Sequence, residues 1–110
     1  MTYRKLCYHE CIDDWSTVYM AELDSENYTV RAVDIYSDGS YGYSDEKIYV
    51  NGGSLSDVPF PAVDEFYHSG EYDSDMADYY DITKEDFEAA WEAEIAFCRN
   101  HNIAPKKYAQ

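Results

Sequence analysis

The 110-residue sequence predicts an α+β fold: an antiparallel β-meander of about four strands with a C-terminal α-helix packed on one face. Three observations lead there. Runs rich in tyrosine and β-branched residues fill positions 1–50, an Asp38-Gly39 pair separates two of them, and a capped amphipathic stretch lies near the C-terminus. The length suits one domain with one core, 1–110.

The first strand is read from YRKLCYHE, which is short and rich in tyrosine. STVYMAEL follows, alternating Val18, Met20 and Glu22 with Tyr19, Ala21 and Leu23. After a polar DSEN break, YTVRAVDIY carries the strongest strand signal. Thr29, Arg31, Val33 and Ile35 share one face of it, and Tyr28, Val30, Ala32, Asp34 and Tyr36 the other. Asp-Gly tolerates positive φ, so a two-residue hairpin turn is expected at Asp38-Gly39. That turn sets Tyr36 opposite Tyr41 and Asp34 opposite Tyr43. EKIYV (46–50) reads as a further strand.

Residues 51–82 read as a loop and acidic segment. NGGSLSDVPFP is a loop by its Gly, Ser and Pro content, and AVDEFYHS a short helix after Pro61. YDSDMADYYD (72–81) shows no clear period. The C-terminal helix is placed at 83–100, with Thr83 and Asp86 as a capping box. Phe87, Trp91, Ile95 and Cys98 form one apolar stripe, while Glu85, Glu88 and Glu92 are expected to face away. The polar tail 101–110 is expected to fray.

The net charge is −15, from 23 acids and 8 bases. It is unevenly placed: residues 57–94 carry −12, with Lys84 their only base, residues 1–56 carry −6, and the rest carry +3. Such a surface repels nucleic acid and anionic lipid and attracts basic proteins, so neither nucleic acid nor membrane is an expected direct partner. MTYRKLCYHE lacks the apolar run of a signal peptide, and no stretch approaches a membrane span, which points to the cytoplasm. Three cysteines, an odd number, argue for reduced thiols.

Motifs for chemistry fail one by one. Cys7, His9 and Cys11 would share a strand face, and Cys98 and His101 form a C-x-x-H, yet no C-x-x-C turn accompanies them, so no metal is expected. A calcium loop starting at Asp73 would put Ala77 at its fifth position, Asp78 where glycine is needed and Lys84 at its twelfth. No G-x-S-x-G elbow and no phosphate-binding glycine loop occurs. Among the carboxylates, Glu22 and Asp34 stand out only for lying in mid-strand, where Arg31 or Arg4 offers an ion-pair partner. No catalytic residue, cofactor or reaction is expected.

AELDSENYTVRAVDIYSDGSYGY, then L-S-D-V-P-F-P, then ITKEDFEAAW, form an ordered pattern. Its markers are Glu22-Leu23-Asp24, then Val30, Arg31, Val33, Asp34 and Tyr36, the Asp38-Gly39 turn, Gly42-Tyr43, Pro59, Pro61, Phe87 and Trp91. Over about residues 15–92 the pattern resembles small bacterial and phage domains of unknown function, a DUF6881-like family. The resemblance implies a compact sheet-plus-helix fold and assigns no catalytic residues. It has no place for Cys7, Cys11 or Cys98, and the acidic run at 71–81 and the tail after 95 fall outside it.

The expected function is a non-catalytic acidic inhibitor that occupies the basic nucleic-acid groove of an effector, a nuclease or a CRISPR effector. Phage DNA-mimic anti-defence proteins and immunity proteins for nuclease toxins work this way, presenting carboxylates where phosphates would lie. The carboxylates assigned to the partner surface are Asp73, Asp75, Asp78, Asp81, Glu85, Glu88 and Glu92, with Tyr72, Tyr79 and Tyr80 as anchors. Tyrosine supplies contact area and cation–π faces to a partner rich in Arg and Lys. Monomer and homodimer are both compatible with the sequence. The alternative is an accessory domain that binds a small ligand or peptide around Glu22, Arg31 and Asp34, with acidity serving only solubility.

Overall fold

The computed structural model describes residues 1–9, 16–71 and 75–108. In chain order these form β1 (Thr2–Tyr8), β2 (Ser16–Leu23), β3 (Thr29–Tyr36), β4 (Tyr41–Asp45), β5 (Ile48–Val50), α1 (Val63–His68), β6 (Ala77–Asp81), α2 (Lys84–Asn100) and β7 (Lys106–Lys107). All the strands join one seven-stranded sheet, ordered β6-β1-β2-β3-β4-β5-β7, with every neighbouring pair antiparallel.

This corrects the expected fold class. The sheet has seven strands rather than about four, and two short helices accompany it, so the protein is mostly β. The extra strands come from segments that carry little pattern. ADYYD becomes β6 by pairing with β1, and its alternation buries only Ala77 and Tyr79. The tail, expected to fray, instead pairs Lys106–Lys107 with β5. Tyr108 fixes it there, its ring tilted against Tyr49 with centroids 5.1 Å apart and its hydroxyl hydrogen-bonded to Ser44.

The β3–β4 register also differs from expectation. Asp34 pairs with Gly42 and Val33 with Tyr43. The Tyr36 N–H donates to the Ser40 carbonyl, and the Gly39 N–H to the Tyr36 carbonyl. The turn is thus a three-residue loop with Gly39 (φ 84°) as its left-handed residue, the form a type I turn takes when it ends in a bulge. Asp38 stabilises it by accepting from both the N–H and the hydroxyl of Ser40. Because side chains alternate, the one-residue slip moves Tyr41 and Tyr43 to the face of Val33 and Ile35.

α2 packs on that face. The capping box is made: Thr83 Oγ1 accepts from the Asp86 N–H, and the Asp86 carboxylate reaches back to the Thr83 N–H. Phe87 packs with Met20 and Val33, and Cys98 with Tyr43 and Val50. Trp91 touches both groups, meeting Tyr43 edge-on at 5.2 Å and Phe87 at 6.2 Å. None of the helices among the described residues is long and apolar enough to cross a membrane.

Residues 51–62 form a strap over the opposite face. It leaves β5 through Gly53, where an added Cβ would lie 2.6 Å from the Tyr43 carbonyl oxygen and 2.8 Å from the Tyr43 nitrogen. Both obstacles are backbone, so they cannot rotate away. Gly53→Ala is expected to cost about 2 kcal/mol or more, as a lowered denaturation midpoint with an unchanged folded spectrum. A midpoint within 1 °C of the parent would contradict this packing.

Candidate interaction surface

β6 divides its side chains between the two faces of the sheet. Tyr79 points to the strap side, where it packs against Phe66 at 4.9 Å and Phe60 at 6.2 Å. Its hydroxyl donates to the Pro61 carbonyl (2.8 Å) and accepts from Arg4 Nη1 (2.9 Å), with the Arg4 guanidinium 5.6 Å from the ring centre. Tyr79 is only 2% exposed. It belongs to the core and is withdrawn as a partner anchor. Tyr80, on the other face, is exposed, and its hydroxyl lies 3.8 Å from Cys7 Sγ.

Asp78 and Asp81 are each held by one base. His9 Nε2 lies 3.2 Å from Asp78 Oδ1, and Arg4 Nε lies 3.0 Å from Asp81 Oδ1. Both carboxylates stay open to solvent, at 62% and 66% side-chain exposure, so the pairing leaves them available to a partner. The Asp78 hydrogen bond, followed by the Asp75 carbonyl, raises the pKa of His9. Asp75, Glu85 and Glu92 are exposed as well. Tyr72 and Asp73 lie outside the described residues.

The edge of β6 is guarded against further strand pairing. Hydrogen bonds from Ile82 N to Tyr3 O and from His9 N to Met76 O set which amides face β1, and the Tyr79 amide faces outward. That N–H donates to the Tyr67 hydroxyl of α1 (2.6 Å). With Asp78 and Asp81 flanking it, the edge favours side-chain recognition over strand addition.

Glu88 departs from its expected outward position. It is half-buried and pairs with Arg31, Nη2 to Oε1 at 2.5 Å. Arg31 also holds Glu22 with two bonds of 2.8 Å, and Tyr3 Oη donates to the same Glu22 carboxylate (2.8 Å). The guanidinium lies 5.0 Å from the ring centres of both Phe87 and Trp91. Hydrogen bonds from Arg31 hold the pKa of Glu22 and of Glu88 below the ordinary value. Asp34 sits on the opposite face, over which Tyr19 and the strap lie. Glu22, Arg31 and Asp34 therefore do not converge on one site.

The thiol and imidazole groups are dispersed. Cys7 sits at the β1–β6 side beside Tyr80, whereas Cys98 is buried on the inner face of α2 and donates to the Tyr41 carbonyl (3.8 Å). His101 stacks on Phe97 at 4.0 Å and hydrogen-bonds its carbonyl (2.8 Å). Cys11 lies outside the described residues, and among those described no three metal-ligating side chains come together.

One residue was missed by sequence reasoning. Glu94 is 2% exposed in the α2–sheet interface, and its Oε2 finds no hydrogen-bond partner among the described residues. The signal was present: position 94 lies three residues after Trp91 and four before Cys98, on the apolar stripe itself.

Residues 2–96 match a family model described as a domain of unknown function, DUF6881. The matched span is wider than the ordered motif pattern: it runs from β1 into α2 and takes in the acidic run at 71–81, expected to fall outside the family. No curated protein and no solved structure matches the chain.

Proposed function

The chain belongs to the DUF6881 family of domains of unknown function, and from that premise we propose that it is a non-catalytic acidic inhibitor whose β6–α2 surface occupies the basic nucleic-acid groove of an effector. One observation carries the reading: Asp75, Asp78, Asp81, Glu85 and Glu92 are all exposed along a segment where Lys84 is the only base, with Tyr80 exposed beside them. Carboxylates on a strand and on the first turns of a helix are held by the backbone, so a partner need not order them on binding. Their charge steers a basic partner in and competes with phosphate for the same side chains. Nuclease and CRISPR effectors are the partners this surface suits.

The test is capture from a bacterial lysate, each captured partner being challenged with duplex DNA. A basic nucleic-acid-binding protein displaced by DNA is expected, with affinity falling steeply as salt rises. The combined Asp75→Lys, Asp78→Lys, Glu85→Lys, Glu92→Lys variant should lose about a hundredfold in affinity, close to 0.7 kcal/mol per reversed charge. Capture that withstands all four reversals in a folded variant defeats the proposal.

A further inference from the structure

A cleft runs between the strap and the sheet face opposite α2. The strap is held at three points. Tyr19 Oη donates to the Ser54 carbonyl (2.9 Å), the Phe60 N–H to the Asn27 carbonyl (2.8 Å), and Arg4 and Tyr79 to the Pro61 carbonyl (2.5 and 2.8 Å). Phe60 stacks on Tyr19 with centroids 5.8 Å apart, which turns its ring toward the sheet. Between these anchors, Leu6 and Tyr8 of β1 line an open space of two lobes.

The larger lobe, about 500 Å³, is apolar and is walled by Val58, Pro59 and Phe66. The smaller, about 270 Å³, holds Tyr19, Asp34 and Ser54. They share Leu6, Tyr8, Ser56 and Phe60 as walls and so lie side by side. The cleft's size falls in the range of small-molecule sites, with an apolar body and few polar groups. Among the described residues no Lys, Arg or His lines either lobe. Among the described residues Asp34 is the one carboxylate in the lining, and it is recessed, at 6% exposure.

We propose that this cleft binds a small amphipathic organic cation, its apolar body between Phe60 and Leu6 and its ammonium group directed toward Asp34. The shape selects one flat or slender apolar group, because Phe60 and the prolines present rigid faces. The charge selects the sign. An ammonium entering the smaller lobe meets a carboxylate and the faces of Tyr8 and Tyr19, whereas an anion meets no base among the described lining residues. The net charge of −15 raises the local concentration of cations before any contact is made. The site is on the strap side and uses none of the carboxylates assigned to the inhibitor surface.

Three probes of matched size separate these terms: phenethylamine, 2-phenylethanol and 3-phenylpropionate, each titrated into the isotope-labelled chain at pH 7 and followed by amide chemical shifts. Phenethylamine is expected to saturate, to shift the amides of Leu6, Tyr8 and residues 54–60, and to bind at least tenfold more tightly than the alcohol. The propionate should leave those amides unmoved. Asp34→Asn should bring the amine to within about twofold of the alcohol, and Leu6→Trp, which fills the cleft from below, should abolish both. Equal binding of amine and alcohol to the parent protein overturns the proposal, as does saturation mapped to the α2 face or no saturation by any probe. No partner protein enters the experiment, so its failure leaves the inhibitor reading untouched.

Discussion

Replacing Glu94 by glutamine is expected to abolish most of the pH dependence of stability between pH 5 and 8. Glu94 is nearly fully buried between α2 and the sheet, and one of its oxygens finds no donor among the described residues. One charged neighbour makes the ionised form worse: Asp34 of β3 lies within electrostatic range, whereas Tyr36 of β3 and Cys98, one turn later on α2, have raised pKa values themselves and stay neutral. Burial first, and the Asp34 charge second, push the Glu94 pKa up to about 8 from an ordinary 4.5. Below the lower value both the folded and the unfolded chain hold the proton, and no penalty exists. Between the two values only the folded chain holds it, so stability falls as pH rises, by up to 1.36 kcal/mol per unit. Above the higher value the loss is complete, on the order of 5 kcal/mol.

The acid side slopes the other way. Glu22 and Glu88 have depressed pKa values, so the stability they contribute is full above about 4.5 and is lost as pH falls. The protein should therefore be most stable near pH 5, close to its pI of 4.2 and well below neutrality. Denaturant unfolding followed across pH 4–9 tests both arms. Glu94→Gln should match the parent to within about 1 kcal/mol at pH 5 and exceed it by several at pH 8.5. Self-repulsion of the −15 charge adds a shallow slope common to both proteins, so the difference between the curves is the readout. Parallel curves for parent and variant would sink the assignment.

The elements most legible in the sequence were those that alternate over a long run against neighbours on both sides. β2 and β3 are central, eight residues each, and their period-2 pattern survives because one face meets α2 and the other the strap. The α2 cap was legible for a local reason, since Thr83 and Asp86 satisfy each other without help from the rest of the fold. Edge strands gave no such signal. β6 buries two residues of five and β7 none of two, so neither repeats often enough for a period to emerge. The hairpin register failed because Asp-Gly serves both a two-residue turn and the end of a three-residue bulged loop, and only the packing of Tyr43 on Trp91 separates them. The interaction surface was legible as charge and not as geometry. Composition located the carboxylates, but Tyr79 and Glu88 turn inward because each has a tertiary partner, Pro61 in one case and Arg31 in the other, that lies far away in sequence.

Arg31→Met is expected to destabilise the fold by about 3–5 kcal/mol at pH 7, the cost of stripping the partner from a buried charge. Glu22 would keep only the Tyr3 hydroxyl after losing both guanidinium bonds, with its side chain 10% exposed. Arg31→Lys should recover little, because an ammonium cannot hold Glu22 through two parallel bonds while lying against Phe87 and Trp91. The double variant Arg31→Met, Glu22→Gln should recover most of the loss, since it removes the stranded charge and restores an apolar surface under Trp91. The pH profile distinguishes the cause. In the parent, the Glu22 contribution disappears as pH falls below its ordinary pKa, so parent and Arg31→Met should converge toward pH 3 if the ion pair carries the stability. A gap that stays constant from pH 7 to pH 3 would instead place the stabilisation in the packing of the guanidinium between the two rings, with its charge incidental.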